Sequence, residues 1–337
     1  MARAPNRGAT LARSWPLANN WFLLRTAVRP VRWGDCSKCL RGIRAIPANL
    51  AAIAPPYLYD VEANQCIGRS VLRAIIIGAG RGSRLMPATA DAPKCFARVG
   101  RRRILDWSLA AFRECGLDDI AFIGGYQIDK VRAAYPELVF RHNERWESNN
   151  ILASLFHAED LMDGPFVCCY SDTLFRPSVV AGLIACESPM GLSVDTDWLG
   201  RYAERTEHPS DDAEKVTVEN GLVTRIHRDI AEDEAHGEFT GMARFSAEGA
   251  ARLREHYHDN RRRYDGRIFG DGRTFEKAYL IQLFQKMIEA GERFAHVDTR
   301  GGYLEIDTQQ DYDYARRYWA TDESDRESPQ PTEATTR

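Results

Sequence analysis

The segment at residues 72–94 constrains this chain more than any other part of its sequence. An apolar run of strand length, residues 72–77, ends in a loop that has glycine at every second position, residues 78–82. Glycine lets backbone N–H groups turn toward an anion without interference from a side chain. Arg84 and Lys94 add positive charge beside this loop. A strand that ends in a glycine-rich, basic loop predicts a binding site for a polyphosphate.

Two common phosphate-binding loops do not fit this sequence. A P-loop requires Gly-Lys-Ser/Thr at a fixed spacing after its first glycine, and no Gly-Lys follows here at that spacing. The dinucleotide-binding fingerprint requires a third glycine where Ser83 stands, and an acidic residue about 20 positions further on. Residues 99–101 read Val-Gly-Arg instead. Both loops are therefore excluded.

The full motif is more specific than its glycines. The sequence GRGSRLMP at residues 80–87, followed by DAPK at residues 91–94, resembles the signature of nucleotidyltransferases that make activated sugars and alcohols from nucleoside triphosphates. Further blocks follow in an order that is similar to the phosphocholine cytidylyltransferase-like branch of this family. They lie at residues 149–155, 170–172, 212–216, 241–245 and 305–308. The resemblance covers residues 72–319.

The spacing of apolar residues independently predicts an α/β fold. Runs of strand length alternate with segments of helical periodicity, which indicates a mainly parallel sheet between layers of helices. Strands are predicted at residues 72–77, 119–124, 137–141, 166–171, 190–195, 239–245 and 294–298, and a hairpin at 215–228 around Asn220-Gly221. Helices are predicted at residues 103–115, 127–134, 149–161, 176–185, 247–257, 274–289 and 308–319. The resemblance implies the three-layer, Rossmann-like nucleotide-diphospho-sugar transferase fold, with a β-rich acceptor-binding portion.

Composition divides the chain into three parts. Residues 1–70 carry a net charge of +7 and form a predicted Arg-rich, poorly ordered N-terminal extension. Residues 71–320 form the predicted nucleotidyltransferase domain, and residues 321–337 a predicted disordered acidic tail of net charge −3. The middle of the chain carries the remaining −7, which argues against non-specific binding of nucleic acid.

The remaining bulk features predict a cytoplasmic protein. Eight cysteines are scattered along the chain, several of them within apolar runs, and free thiols of this kind fit a reducing compartment. No apolar run reaches the length of a membrane span. For the assembly state, we consider a homodimer.

Candidate metal ligands follow from the chemistry of nucleotidyl transfer, which must bring two anions together. Mg²⁺ suits this task and prefers a few carboxylates together with phosphate oxygens. Asp172 directly follows the apolar run at 166–170, so we expect it at a strand end, where its alternative role is to cap a helix. The resemblance implies that Asp307 binds the same ion. Asp307 or Thr308 could instead cap the last helix.

The resemblance also implies roles for the basic residues. Lys94 would hold the α-phosphate during attack, and Arg84 the phosphates that leave. Lys215 resembles the lysine that meets the acceptor phosphate, although a solvated hairpin lysine is the simpler interpretation. The predicted catalytic residues are Lys94, Arg84, Asp172 and Lys215.

The resemblance implies a nucleobase site over the strand-end loops, and the acceptor site is predicted mainly from aromatic and acidic residues in the second half of the chain. The predicted nucleotide-binding residues are Gly78, Ala79, Gly80, Arg81, Gly82, Ser83, Arg84, Tyr126, Asn150 and Ser154. The predicted acceptor-binding residues are Lys215, Glu238, Trp198 and Tyr303. The aromatic residues would serve as a cage for a quaternary ammonium, or else belong to the core. Acidic neighbours would equally receive a primary amine or sugar hydroxyls.

We therefore expect a Mg²⁺-dependent nucleotidyltransferase that transfers CMP from CTP to a small phosphorylated alcohol or phosphonate and releases pyrophosphate. One alternative is a sugar-1-phosphate uridylyl- or thymidylyltransferase. A second alternative, from another class, is a non-catalytic nucleotide-binding regulatory module. The joint presence of Arg84, Lys94, Asp172 and Asp307 favours an enzyme, because binding alone would not require all four.

Overall fold

The computed structural model describes residues 72–319, except residues 86–88, 90, 204 and 208. The predicted extension at residues 1–70 and the predicted tail at 321–337 lie outside the described residues. Among the described helices, none combines the length and the apolar character that a membrane crossing needs.

A nine-stranded sheet forms the centre of the described chain, and three short two-stranded sheets accompany it. The strands are β1 (Arg73–Gly78), β2 (Arg98–Val99), β3 (Arg102–Arg103), β4 (Ile120–Gly124), β5 (Val139–His142), β6 (Phe166–Tyr170), β7 (Thr173–Phe175), β8 (Met190–Asp195), β9 (Lys215–Glu219), β10 (Leu222–His227), β11 (Gly237–Phe245), β12 (Ile268–Gly270), β13 (Arg273–Thr274), β14 (Ala295–Thr299) and β15 (Tyr303–Glu305). The α-helices are α1 (Ile104–Glu114), α2 (Ile128–Ala134), α3 (Ile151–Leu155), α4 (Pro177–Ile184), α5 (Trp198–Tyr202), α6 (Ala247–Arg263), α7 (Leu280–Glu289) and α8 (Gln309–Tyr318). Short 3₁₀ turns occupy Ser83–Leu85, Lys94–Phe96, Phe156–Leu161, Ser210–Asp212 and Phe275–Lys277.

The central sheet changes character along its strand order, β5-β4-β1-β6-β11-β8-β14-β10-β9. The first four strands are parallel to one another, as the alternation of strands and helices predicts. Strand β11 runs antiparallel to both β6 and β8, and the hairpin β9–β10 is antiparallel, so the second half is mixed. Strand β9 also pairs with the start of β11. The predicted α/β fold class is confirmed, and the β-rich second half is built around β11.

Strand β1 shows why the sheet lies between layers. Its residues Ala74 to Ile77 are all at most 2% exposed, as expected for a parallel strand that is covered on both faces. Alternate side chains point to opposite faces of a strand. Accordingly, Ile75 and Ile77 belong to one apolar core, and Ala74 and Ile76 belong to another.

The predicted helix at residues 274–289 is wrong in its first turn. A 3₁₀ turn at Phe275–Lys277 is followed by extended backbone at Ala278, and α7 begins only at Leu280. The carbonyl groups of residues 276–278 accept hydrogen bonds from the segment at residues 150–152. Tertiary hydrogen bonds therefore override the local helical periodicity at this point.

Gly241 is required by both its backbone conformation and its neighbours. Its φ is +75°, and an added Cβ would lie 2.5 Å from Cδ2 of Tyr170. We expect Gly241→Ala to lower the free energy of unfolding by about 1–3 kcal/mol, because the ring must shift and alanine disfavours this φ. Gly272→Ala is a matched control, since Gly272 has φ +70° with open space around it. Urea denaturation would contradict this account if both variants lost equal stability.

Candidate active site

A cavity of about 550 Å³ opens at the edge of the sheet where β1 and β6 end. Ligands of α/β proteins bind at the carboxyl ends of the parallel strands. The glycine loop after β1 lines one wall, and Ser171 and Asp172, which follow β6, line the floor. The cavity therefore lies where the sequence predicts the phosphate site.

A short strand pair that the sequence did not indicate brings the acidic residues together. Strand β7, directly after Asp172, pairs antiparallel with β15, and the N–H of Ile306 donates to the carbonyl of Asp172 at 3.0 Å. This register places Asp307 beside Asp172. Carboxylate oxygens of Asp172, Glu305 and Asp307 all lie within 4.8 Å of one another. Three hard oxygen ligands at this spacing suit Mg²⁺.

Lys94 lies between two of these carboxylates. Its ammonium donates to Oδ2 of Asp172 at 2.8 Å and also to Oδ1 of Asp307. Burial alone would lower the pKa of Lys94, but the two carboxylates raise it above its ordinary value. Lys94 is 7% exposed and is therefore a fixed positive charge on the cavity floor.

Arg84 approaches the same cluster from the solvent side. Its guanidinium donates to Oδ2 of Asp307 at 2.6 Å, while the arginine side chain itself stays 59% exposed. An exposed arginine can move between a carboxylate and the phosphates of a ligand at little cost. The structure thus brings together the four residues on which the prediction of an enzyme depended.

Glu305 is a member of this cluster that sequence reasoning missed. It lines the cavity, and burial, followed by repulsion from Asp307 and Asp172, raises its pKa well above the ordinary value. The signal was present in the matching block at residues 305–308, but only Asp307 was singled out there.

The glycine loop packs tightly against the cavity floor. An added Cβ at Gly78 would lie 2.6 Å from Oγ of Ser171, and one at Gly82 would lie 2.9 Å from Lys94. Gly82 also has φ +69°, which favours glycine. Gly78, Ala79, Gly80, Gly82, Ser83 and Arg84 line the cavity. Glycine here lets the backbone approach the charged floor closely.

Tyr126 and Arg81, two predicted nucleotide-binding residues, support the loop from outside the cavity lining. The N–H of Tyr126 donates to the carbonyl of Ala79 at 2.9 Å. Its ring packs edge-on against Trp146, with 5.6 Å between ring centroids, and the Arg81 guanidinium lies 5.4 Å from its centroid. Trp146 lines the cavity, whereas sequence reasoning did not name it.

Asn150 and Ser154 line the cavity within a polar network at the start of α3. Oδ1 of Asn150 accepts from the N–H of Ile151 at 2.9 Å, which caps the helix. The buried Asn143 donates to Oγ of Ser154 at 2.9 Å and to Oδ1 of Asn149 at 2.8 Å. The network holds Asn149 and Ser154 in fixed orientations, as discrimination of a nucleobase by a few polar atoms requires.

The far end of the cavity contains Glu238, which was predicted to bind the acceptor. Glu238 accepts from the hydroxyl of Tyr202 and from the guanidinium of Arg201 at 2.7 Å. Arg201 also forms an ion pair with the fully buried Asp195. Tyr303, another predicted acceptor-binding residue, lines the cavity beside them, 5.2 Å from the Arg201 guanidinium. Glu238 is therefore a paired carboxylate.

Lys215 and Trp198 lie outside the cavity lining, unlike their predicted positions. The ammonium of Lys215 donates to the carbonyl of Ser210 at 3.1 Å and lies 5.9 Å from the centroid of the Trp198 ring. Burial lowers the pKa of Lys215. The neighbouring Glu214 does line the cavity, and adjacent residues of an extended chain point in opposite directions. The role of Lys215 toward the acceptor phosphate stays a prediction.

Two arginines supply positive charge at this end of the cavity, and the sequence motifs did not indicate them. Arg228 forms ion pairs with Glu214 at 3.3 Å and Asp212 at 3.5 Å. Arg228 and Arg273 both approach the ring of Tyr279, at 4.5 and 5.0 Å from its centroid. Carboxylates and guanidinium groups thus lie side by side at this end of the cavity.

Comparisons with known proteins agree with this geometry. The family model described as the MobA-like NTP transferase domain matches residues 74–209, which include the glycine loop, Lys94 and Asp172. A CTP:phosphoglutamine cytidylyltransferase from Campylobacter jejuni is 28% identical over 250 residues, or 71% of this chain and 97% of that protein. A choline-phosphate cytidylyltransferase from Streptococcus pneumoniae is 30% identical over 109 residues, or 31% of this chain and 47% of that protein.

A solved structure shares the architecture over most of the described chain. The CTP:phosphocholine cytidylyltransferase from Streptococcus pneumoniae matches with a TM-score of 0.56 and 19% identity, covering 74% of this chain and 99% of that one. At this identity the likeness shows the fold, and it confirms the predicted nucleotide-diphospho-sugar transferase fold. The resemblance to nucleotidyltransferases of the phosphocholine cytidylyltransferase-like branch is confirmed, since residues 74–209 match the MobA-like NTP transferase domain and both named relatives are cytidylyltransferases.

Proposed function

We propose that this enzyme transfers CMP from CTP to the phosphate or phosphonate of a small acceptor that carries a cationic nitrogen, and releases pyrophosphate. The observation that carries the proposal is the position of Lys94 between Asp172 and Asp307, on the floor of a cavity that the glycine loop lines. Both curated relatives described above are named as cytidylyltransferases, which favours CTP.

The residues present fit Mg²⁺ as the cofactor. Asp172, Glu305 and Asp307 offer only oxygen ligands, which are the ligands that Mg²⁺ prefers, and they open onto the cavity. Bound there, Mg²⁺ would neutralise negative charge on the triphosphate. Lys94 and Arg84, which hold these carboxylates in the structure, would then be released toward the phosphates.

The residues of the chain account for the remaining requirements of the reaction. An oxygen of the acceptor phosphate attacks the α-phosphorus, and the bond to the bridging oxygen of pyrophosphate breaks. Once released from the carboxylates, Lys94 would stabilise the charge on the α-phosphate, since it lies in the cavity lining beside Gly82. Arg84 and the glycine loop would hold the leaving pyrophosphate. Catalysis here is positioning and charge stabilisation.

The end of the cavity at Glu214 and Arg228 favours, as the acceptor, a small molecule that combines phosphate with a nitrogen cation. Tyr170, Phe239 and Tyr303 present aromatic rings to the cavity, and rings of this kind attract ammonium groups. Arg228, beside Glu214, would attract an anionic group. Paired charges of both signs fit a zwitterion such as phosphoglutamine as well as phosphocholine. They are a poor match for a sugar, whose hydroxyls carry no charge.

A panel of substrates tests the proposal. Each of CTP, UTP, ATP and dTTP is incubated with Mg²⁺ and one acceptor, and pyrophosphate release is measured. The acceptors are phosphocholine, phosphoglutamine, an aminoalkyl phosphonate and glucose 1-phosphate. We expect release with CTP and at least one nitrogen-bearing acceptor, and its loss in EDTA. Release only with UTP or dTTP and glucose 1-phosphate would support the sugar-nucleotide alternative and refute this proposal.

The two basic residues near the phosphates are expected to affect kinetics differently. Lys94→Ala should mainly lower kcat, because Lys94 is placed to follow charge that develops on the α-phosphate. Arg84→Ala should also raise KM for CTP, because the leaving phosphates carry charge before and after the reaction. Each lost contact is worth about 1.5–3 kcal/mol, or roughly ten- to a hundredfold.

Steady-state kinetics with varied CTP and saturating acceptor separate these effects. Lys286→Ala is the control for Lys94, since Lys286 pairs with Glu289 on the surface of α7. If Lys94→Ala changed only KM and Arg84→Ala changed only kcat, the roles assigned to the two residues would be reversed.

A further inference from the structure

A second cluster of ligating side chains lies apart from the active-site cavity. His236 precedes β11, and His296 and Asp298 lie on β14. One ligand atom from each of the three residues lies within 4.8 Å of the other two. None of the three lines the cavity. The proposed function does not use them.

Two imidazoles converge on one carboxylate in this cluster. Nε2 of His236 lies 3.0 Å from both carboxylate oxygens of Asp298, and Nδ1 of His296 lies 2.7 Å from Oδ1. The two imidazole centroids are 4.9 Å apart. In a tetrahedral zinc site with bonds of about 2.0–2.2 Å, ligand atoms lie roughly 3.3 Å apart. The observed separations are about 0.3–0.6 Å shorter than that value, so small side-chain rotations would open the cluster to an ion.

We propose that His236, His296 and Asp298 bind a transition-metal dication, with Zn²⁺ as the physiological candidate. Two imidazoles and one carboxylate suit Zn²⁺ and related ions, whereas Mg²⁺ prefers oxygen ligands alone. The two clusters on this chain therefore differ in metal preference. Three protein ligands leave one position for water.

The ion would link two parts of the sheet that are distant in sequence. The N–H of His236 donates to the carbonyl of Val216 on β9 at 2.8 Å, so His236 lies where the start of β11 meets β9. His296 and Asp298 belong to β14, on the other side of β8 in the strand order. Zn²⁺ at this position would hold His236, which lies two residues before Glu238, against β14. Its binding should raise the melting temperature.

The three side chains are open enough to take up an ion from solution. The exposed fractions of the side chains are 32% for His236, 22% for His296 and 38% for Asp298. No large rearrangement is needed for entry, since the ligand atoms already converge. Partial exposure also places the site within reach of chelators.

Titration of the full chain with Co²⁺ in the presence of excess Mg²⁺ tests the proposal. Excess Mg²⁺ would fill the all-oxygen cluster of Asp172, Glu305 and Asp307, and Co²⁺ bound by imidazole and carboxylate would give visible absorption. We expect one saturable site, displacement by Zn²⁺, and loss of the signal in His296→Gln and Asp298→Asn. Affinity for Zn²⁺ should fall by at least about tenfold, the loss that even an outer-shell partner causes.

Matched controls separate this site from its alternatives. His258 contacts Glu159 without a second imidazole, so His258→Gln should keep the full signal. Retention of the signal in His296→Gln, or absence of saturable Co²⁺ binding to the parent chain, would overturn the proposal. The sequence Cys-Ser-Lys-Cys at residues 36–39 offers two thiolates as an alternative. Thiolate charge-transfer bands that disappear in Cys39→Ser would assign the ion to these cysteines and would equally overturn the proposal. Pyrophosphate release is not the readout, so this result is independent of the proposed function.

Discussion

Asp172→Asn is expected to lower kcat by roughly a hundredfold to several thousandfold, which corresponds to about 3–5 kcal/mol in the activation barrier. The substitution removes one negative charge from the three-carboxylate cluster and one partner of Lys94. The fold should survive, because asparagine has nearly the same volume and Asp172 lies at the cavity surface. Steady-state kinetics with CTP and the preferred acceptor measure the effect.

A matched variant and a stability measurement accompany this prediction. Asp160 pairs with Arg141 on the surface and is 59% exposed, so Asp160→Asn should keep activity close to that of the parent enzyme. Thermal unfolding of Asp172→Asn checks that lost activity is not lost folding. If Asp172→Asn kept kcat within tenfold of the parent, Asp172 would not be a ligand of the catalytic ion.

Arg201→Met is expected to lower the free energy of unfolding by about 3–5 kcal/mol, because it leaves two buried carboxylates without their shared cation. Asp195 is fully buried and the side chain of Glu238 is 4% exposed, while the Arg201 side chain between them is 12% exposed. Asp195 also accepts hydrogen bonds from the N–H groups of Asp197 and Gly301, each at 2.9 Å. An unpaired buried charge on Asp195 would therefore disturb both of the loops that it holds.

Urea denaturation of Arg201→Met and Arg252→Met gives the comparison. Arg252 also bridges two carboxylates, those of Glu248 and Glu292, but its side chain is 43% exposed. Exposed ion pairs contribute little to stability, so Arg252→Met should unfold close to the parent. Equal losses of unfolding free energy in the two variants would show that the buried pairs of Arg201 contribute no more to stability than the exposed pairs of Arg252.

Local sequence determines the parts of this fold that were predicted correctly. Strand β1 is a continuous apolar run, and the glycines after it allow backbone conformations that other residues disfavour, so the glycine loop could be placed from residues 72–94 alone. The hairpin turn at Asn220-Gly221 is a similarly local signal, with both residues at positive φ. The boundaries of α1, β4, β6 and β8 lie within one residue of the predicted ones.

Contacts between distant segments explain what was missed. The β7–β15 pair joins residues 173–175 to 303–305, and neither segment has a strong strand signal of its own. Without that pair, Glu305 could not be placed beside Asp172. The position of Lys215 depended on which way one residue of β9 points, and the cavity takes its neighbour Glu214 instead. Arg228 and Tyr279 come from elements that only the tertiary fold brings to the cavity.

Identification of the reaction products shows whether this cavity joins CMP to an acceptor phosphate. ³¹P NMR of a reaction with CTP, Mg²⁺ and the acceptor selected by the substrate panel resolves each phosphorus-containing product. We expect a CMP-linked acceptor and pyrophosphate in equal amounts with the parent enzyme, and neither above background with Asp172→Asn. Formation of CDP with inorganic phosphate, or of the linked product at an undiminished rate in Asp172→Asn, would contradict this expectation.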